Sequence, residues 1–232
     1  MNTRFISTSR LLSALAISAP LALVGCQTTT TNEVAPVDHS QTASQTKAQG
    51  DMPQMKLPPG WTQADMQACM AAATPGPMQQ KLARGVGHWT GKCTQWMAPD
   101  TEPSTSQCTA TISSMMDGRY TKCEFAGDMP GMGPFTGLGY DGYDNVAQKL
   151  VSVWMDNMST GIMNGDGTLS SDGSTLTWNY HLMCPIQKKM TTMREVEHFT
   201  SDNAMTLDMY GQEPKSGKEY HMMHIELTRA SS

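Results

Sequence analysis

From about residue 86 onward the chain runs in short stretches of alternating apolar and polar positions, each closed by residues that tolerate a reversal. In the best defined of these, Leu150, Ser152, Trp154 and Asp156 share one face while Val151, Val153 and Met155 share the other. The pattern predicts strands over His88–Met97, Ser106–Met115, Arg119–Ala126, Phe135–Tyr140, Lys149–Asp156, Ile162–Leu169, Thr175–Met183, Lys189–Phe199, Ala204–Tyr210 and Glu219–Arg229. The punctuation is Asp117-Gly118, Gly165-Asp166-Gly167, Asp172-Gly173, Ser201-Asp202-Asn203 and Ser216-Gly217. About ten consecutive strands with short connections describe an all-β, antiparallel up-and-down meander, and closing it into a barrel removes the exposed edges. A two-sheet sandwich fits the same pattern.

The densest stretch, Phe125 to Gly161, reads as a central hairpin: out along Phe135–Tyr140, turning over Asp141–Ala147, back along Lys149–Asp156. Ahead of the strands, residues 60–85 change to a helical pattern. Thr62 is placed to cap Gln63-Ala64-Asp65, and Met66, Met70 and Ala73 follow at helical spacing until Pro75-Gly76-Pro77 stops the run. A second short helix over Met78–Arg84 would bring Leu82 onto the body of the domain.

The N-terminus has a different grammar. Arg4 and Arg10 precede the apolar run Leu11–Val24, the layout of a secretory signal, and the run is short for a membrane span. It ends in Leu23-Val24-Gly25-Cys26, which resembles a bacterial lipobox. That resemblance implies cleavage after residue 25, a covalent lipid on Cys26 and membrane attachment through the acyl chains. Gln27 in the next position resembles lipoproteins sorted to the outer membrane and facing the periplasm. Residues 26–59 then form a Thr-, Gln- and Ala-rich tether with too little apolar surface to offset its ordering entropy. The expected layout is signal 1–25, lipidated tether 26–59, helical segment 60–85 and barrel 86–230. Loss of the signal takes two of the 16 basic residues and none of the 21 acidic ones, leaving 14 against 21. Such an acidic chain is not a nucleic-acid binder.

The segments HWTGKCTQW, GYDNVAQKLVSVWMDNMSTGIM, MREVEHF and MMHIELTR together resemble the domain of unknown function 1579 family, over about Leu82 to Arg229. The resemblance implies a calycin-like β-barrel, similar to lipocalins and fatty-acid-binding proteins. It implies no activity and no catalytic residue. The extra cysteines and the 21 methionines depart from the family pattern.

Beyond Cys26 there are Cys69, Cys93, Cys108, Cys123 and Cys184. In an oxidising envelope these are disulfide candidates, with the odd one free or joining two chains into a dimer. A hairpin centred near Asp100-Thr101 would set Cys93 opposite Cys108. The Asp117-Gly118 turn pairs Cys123 with Ile112, so Cys123 would have to reach Cys69 or Cys184. No CxxC pair points to structural zinc.

His221-Met222-Met223-His224 offers imidazole and thioether together, a set that suits Cu(I). Strict alternation places His221 with Met223 on one face and Met222 with His224 on the other, so His221, Met222 and His224 are the weak metal candidates. Methionine spread over nearly every strand also reads as a core filler where Val, Ile and Leu are scarce. Asp128–Pro134 reads as a Gly/Pro/Met loop at a barrel mouth. Trp154, Asp156, Arg194, Glu195 and Glu197 are candidates for a buried polar network, with Arg194 the natural partner for Asp156. No GxSxG, Walker loop or strand-linked GxGxxG is present. The resulting expectation is a lipid-anchored envelope barrel that binds a small apolar or amphipathic ligand without catalysis and without a cofactor beyond its lipid. Trp89, Met129, Met132, Trp154, Asp156 and Arg194 are its candidate ligand-binding residues. A filled barrel acting as an interaction module and a hydrolase built on Asp156 and Arg194 are the alternatives.

Overall fold

A computed structural model describes residues 56–231, so Cys26, the signal and most of the tether lie outside the described residues. Two helices, α1 (Gln63–Ala73) and α2 (Pro77–Leu82), and a 3-10 turn (Ala83–Gly85) lead into ten strands. These are β1 (Gly87–Gln95), β2 (Ser104–Met115), β3 (Tyr120–Met129), β4 (Gly133–Asp144), β5 (Lys149–Asp156), β6 (Met163–Leu169), β7 (Thr175–Cys184), β8 (Lys189–Ser201), β9 (Ala204–Gln212) and β10 (Glu219–Arg229). Each pairs antiparallel with its neighbour in sequence, and β1 pairs with β10, so the sheet closes. Closure leaves no free edge and disposes of the sandwich.

The alternation expected from the sequence holds for the inward face of β5, with Leu150 and Ser152 buried. Several boundaries move. β3 and β4 are longer than expected and pair as far as Met129 opposite Gly133, so the proposed 128–134 loop is a tight turn in which the Met132 amide donates to the Met129 carbonyl at 2.9 Å. Asp141 lies inside β4 and not in the turn, because the strand continues to Asp144. Gly165-Asp166-Gly167 lies within β6: Gly165 and Gly167 sit under the Tyr180 and Trp178 rings, where a Cβ would collide. The glycines serve packing there and not reversal.

One end of the barrel is plugged. Trp89 is 1% exposed, its Nε1 donates to the Gly85 carbonyl at 2.8 Å, and the Arg229 guanidinium lies 4.2 Å over its ring. Leu82 of α2 packs on the Leu150, Leu176, Trp178 and Tyr180 cluster at the same end, as its position in the sequence leads one to expect. Helix α1 has the expected cap, with Asp65 N–H donating to Thr62 Oγ1 at 3.2 Å and Thr62 N–H donating to Asp65 Oδ2 at 2.8 Å. It buries no residue, and Met70 is exposed, contrary to the packing role its spacing suggests. Its last carbonyls are held by the turn after β4: Asn145 Nδ2 donates to the carbonyls of Ala72 and Thr74 at 3.1 and 2.8 Å.

Candidate functional site

The plugged end leaves the interior of the other half of the barrel open. A cavity of about 190 Å³ lies there, far above the ~10–15 Å³ a single water needs. Its wall is dominated by sulfur and aromatic carbon: Met129, Met163, Met193, Met209, Met222 and Met223, with Phe125, Phe135 and Trp154. Glu195, 7% exposed, and Tyr180, 5% exposed, form its floor. Beyond that floor a second void of about 40 Å³ is lined by Leu82, Leu150, Leu176, Asp141 and Glu197 at the helix-covered end.

The floor is a band of buried polar groups across the waist of the barrel. Trp178 Nε1 donates to Glu197 Oε1 at 2.8 Å, and Ser152 Oγ and Tyr180 Oη are 2.9 Å apart. Burial drives the carboxyls up. Asp141 is pushed up to about 6 by desolvation, with hydrogen bonds from Ser152 and Thr121 pulling the other way. Glu197 is pushed up to about 7 by desolvation and then by the nearby Asp141 charge. Glu195 rises well above the ordinary glutamate range, first through desolvation and then through Glu197 and Asp141, and its carboxyl is hydrogen-bonded to that of Glu197. Burial therefore favours the protonated form of Glu195, whose O–H is turned to Glu197, so that the carboxyl presents an acceptor oxygen at the bottom of an apolar cavity.

The sequence candidates divide by face. Met129, Trp154 and Asp156 line the cavity. Trp154 Nε1 donates to Asp156 Oδ2 at 3.1 Å, and Asp156 Oδ1 accepts the Met158 amide at 2.9 Å. Arg194 is not the partner of Asp156: consecutive residues of β8 face opposite ways, so with Glu195 inside, Arg194 is outside, 4.0 Å over the Tyr210 ring and 3.4 Å from Glu219. Trp89 belongs to the plug and not to the cavity. Met132 is exposed at the tip of the β3–β4 turn and lines no part of it. Asp141, Thr121 and Tyr180 are site residues that the sequence candidates do not include, and Ser152 enters there only by its facing. The signal for Asp141 was available, since β4 keeps alternating through it.

The metal candidates are redistributed by a β-bulge. The register slips between His221 and Met223, with His221 opposite Tyr210 and Met223 opposite Met209. Both Met222 and Met223 therefore reach the cavity, while His221 and His224 share the outer face. The imidazole and thioether set proposed for Cu(I) is split across the wall.

The five described cysteines are free. Cys93 faces Ser106 and Cys108 faces Gly91, so the hairpin is centred one residue earlier than expected and the two thiols are diagonal neighbours, not a directly opposed pair. Cys123 does face Ile112, as expected. It lies among the waist carboxyls and is pushed up to about 12 by desolvation, while Cys184 accepts the Gln187 amide at the other end and Cys69 is on exposed α1.

A family model described as "Protein of unknown function (DUF1579)" matches residues 74–229, which takes in every strand. The chain belongs to the DUF1579 family. No curated protein matches its sequence. Among solved structures it is similar to the crystal structure of Rv2717c from M. tuberculosis, with 14% identity, a TM-score of 0.51 and coverage of 68% of this chain and 100% of that one. At that identity the likeness concerns the fold alone. Within the DUF1579 region fall both the cavity and the polar waist.

Proposed function

We propose that this DUF1579 protein binds a small, neutral, largely apolar molecule in the open half of its barrel. The observation that carries the reading is a methionine- and aromatic-lined cavity of about 190 Å³ with buried polar groups, Glu195 and Tyr180, at its floor. Methionine walls adapt to a shape without demanding one, and the floor supplies the orienting polar group. A ligand carboxylate would sit near Asp156 and above Glu195, Glu197 and Asp141, with Arg194 turned away outside, so anionic amphipaths are disfavoured. The cavity weakens the filled-barrel alternative, and the outward Arg194 removes the Asp156–Arg194 hydrolase site.

The lipobox reading is part of the same proposal. Cys26 carries the lipid, and the barrel is displayed on the periplasmic side of the outer membrane by the 26–59 tether. In cells, Cys26→Ser is expected to move the protein from the membrane fraction to the soluble one. A membrane-bound Cys26→Ser protein would end the anchoring claim.

Ligand binding is tested by native mass spectrometry of the chain purified without detergent, comparing it with Met209→Trp and Cys108→Phe, which fill the cavity from two sides. An adduct on the parent chain that both folded variants lose is expected. Adducts retained equally by folded variants would place the ligand elsewhere and overturn the reading.

A further inference from the structure

We propose that Asp208, His221 and His224 form a binding site for a divalent transition-metal ion of zinc-like chemistry on the outer wall of the barrel. This site is separate from the interior cavity and does not depend on the ligand reading.

The strands deliver the three groups to one point. His224 of β10 is directly opposite Asp208 of β9, and the bulge at His221–Met223 returns His221 to the same outer face, which strict alternation would forbid. Asp208 Oδ1 lies 2.7 Å from His224 Nδ1 and 2.8 Å from His221 Nε2. The three ligand atoms lie within 4.8 Å of one another, and this is the one such group found among the described residues.

Hydrogen bonding accounts for only half of the arrangement. His224 Nδ1 bonds to Asp208 Oδ1. His221 Nε2 is shut away from solvent and has no hydrogen-bond partner, because the same oxygen, though close, lies off the direction of the ring N–H. A buried unpartnered nitrogen costs free energy. An ion bound by all three atoms satisfies it. With metal–ligand distances of about 2.0–2.1 Å, tetrahedral ligand atoms stand roughly 3.3 Å apart, so an ion would widen the two contacts to Asp208, at 2.7 and 2.8 Å, by about half an ångström, while the two histidine nitrogens already lie within 4.8 Å of each other.

His221 is also held in place. Trp96 stacks on one side of its ring at 4.8 Å and 29°, and Tyr210 on the other at 4.8 Å and 21°. The Trp96 amide donates to the Met222 carbonyl at 2.8 Å, pinning the bulge itself. Two imidazoles and one carboxylate make a borderline N₂O set, leaving positions for water, and the absence of a thioether or thiolate from it favours a divalent ion over Cu(I).

The test uses the tag-free full chain carrying Cys69→Ser, so that the exposed thiol of α1 does not compete. Calorimetric titration with Zn²⁺ is expected to show one ion bound at micromolar affinity or better. Asp208→Asn, His224→Gln and His221→Phe, the last keeping a ring between Trp96 and Tyr210, are each expected to weaken binding at least tenfold. Titration with Co²⁺ is expected to give visible d–d bands without thiolate charge-transfer absorption, and this readout needs no substitution at the site, so it decides the matter even where a variant fails to fold. No stoichiometric Zn²⁺ binding, affinity unchanged in the folded variants, or a thiolate band would overturn the proposal and leave a hydrogen-bonded His–Asp–His cluster.

Discussion

Glu195 and Glu197 stand side by side on the inward face of β8 at the waist of the barrel with Asp141 near, and Trp178, Tyr180, Cys123, Ser152 and Thr121 surround them. All three carboxyls hold their protons more tightly folded than unfolded. Their contribution to stability is complete below the ordinary carboxyl range and is lost as pH rises, through about 6 for Asp141, about 7 for Glu197 and well above the ordinary glutamate range for Glu195. Melting temperature is therefore expected to fall between pH 5 and pH 8.5, by an amount on the order of a few kcal/mol in stability. Glu195→Gln should flatten that slope and be the more stable protein at pH 8. A parent chain whose melting temperature rises over this range would contradict the assignment. A second residue-scale test is steric. Gly137 and Gly139 lie beneath the Trp154 ring, and a Cβ at Gly137 would overlap it. Gly137→Ala is expected to cost about 1–3 kcal/mol in denaturant unfolding and to change Trp fluorescence. Residue facing was partly legible: alternation alone separates Arg194 from Glu195 and Glu197, and it puts Asp156 inside. The position of Trp89 along the barrel was not, because an inward residue can belong to a plug or a cavity and only the covering helices decide which.

The elements show why turns were readable and registers less so. Asp117-Gly118 fixes the β2–β3 register, and Cys123 meets Ile112 as the turn requires. The longer β1–β2 connection, Trp96 to Pro103, allows several centres, and a slip of one changes which residue faces Cys93. The bulge in β10 carries no local mark, since neither Gly nor Pro stands in His221–His224. With five free cysteines described, native Ellman titration should show Cys69 reacting quickly, while Cys93, Cys108 and Cys123, raised by burial, react after unfolding. Cys93 and Cys108 found as a disulfide would contradict the structure. Helix α1 is tied down by polar contacts and buries nothing, so Asn145→Ala is expected to speed amide exchange across Gln63–Ala73 while lowering global stability by only about 1 kcal/mol. Unchanged exchange in α1 would mean that other contacts hold it.

At the scale of the molecule, the barrel is asymmetric along its axis. One half is closed by Trp89, Arg229 and α2, the middle is a belt of buried acids with raised pKa values, and the other half is an open apolar cavity. The strand pattern made the closed barrel legible, and methionine abundance announced an adaptable interior. Neither could say whether that interior was filled, because cavity volume depends on side chains from all ten strands meeting at once. The central claim is that the open half takes a neutral apolar molecule onto the Glu195 floor. Calorimetric titration at pH 7 with 1-octanol, and with octanoate of the same chain length, tests it most directly. Saturable one-to-one binding of the alcohol, at least tenfold weaker for octanoate and lost in folded Met209→Trp, is the predicted result. No saturable uptake of 1-octanol, or tighter binding of octanoate, would contradict it.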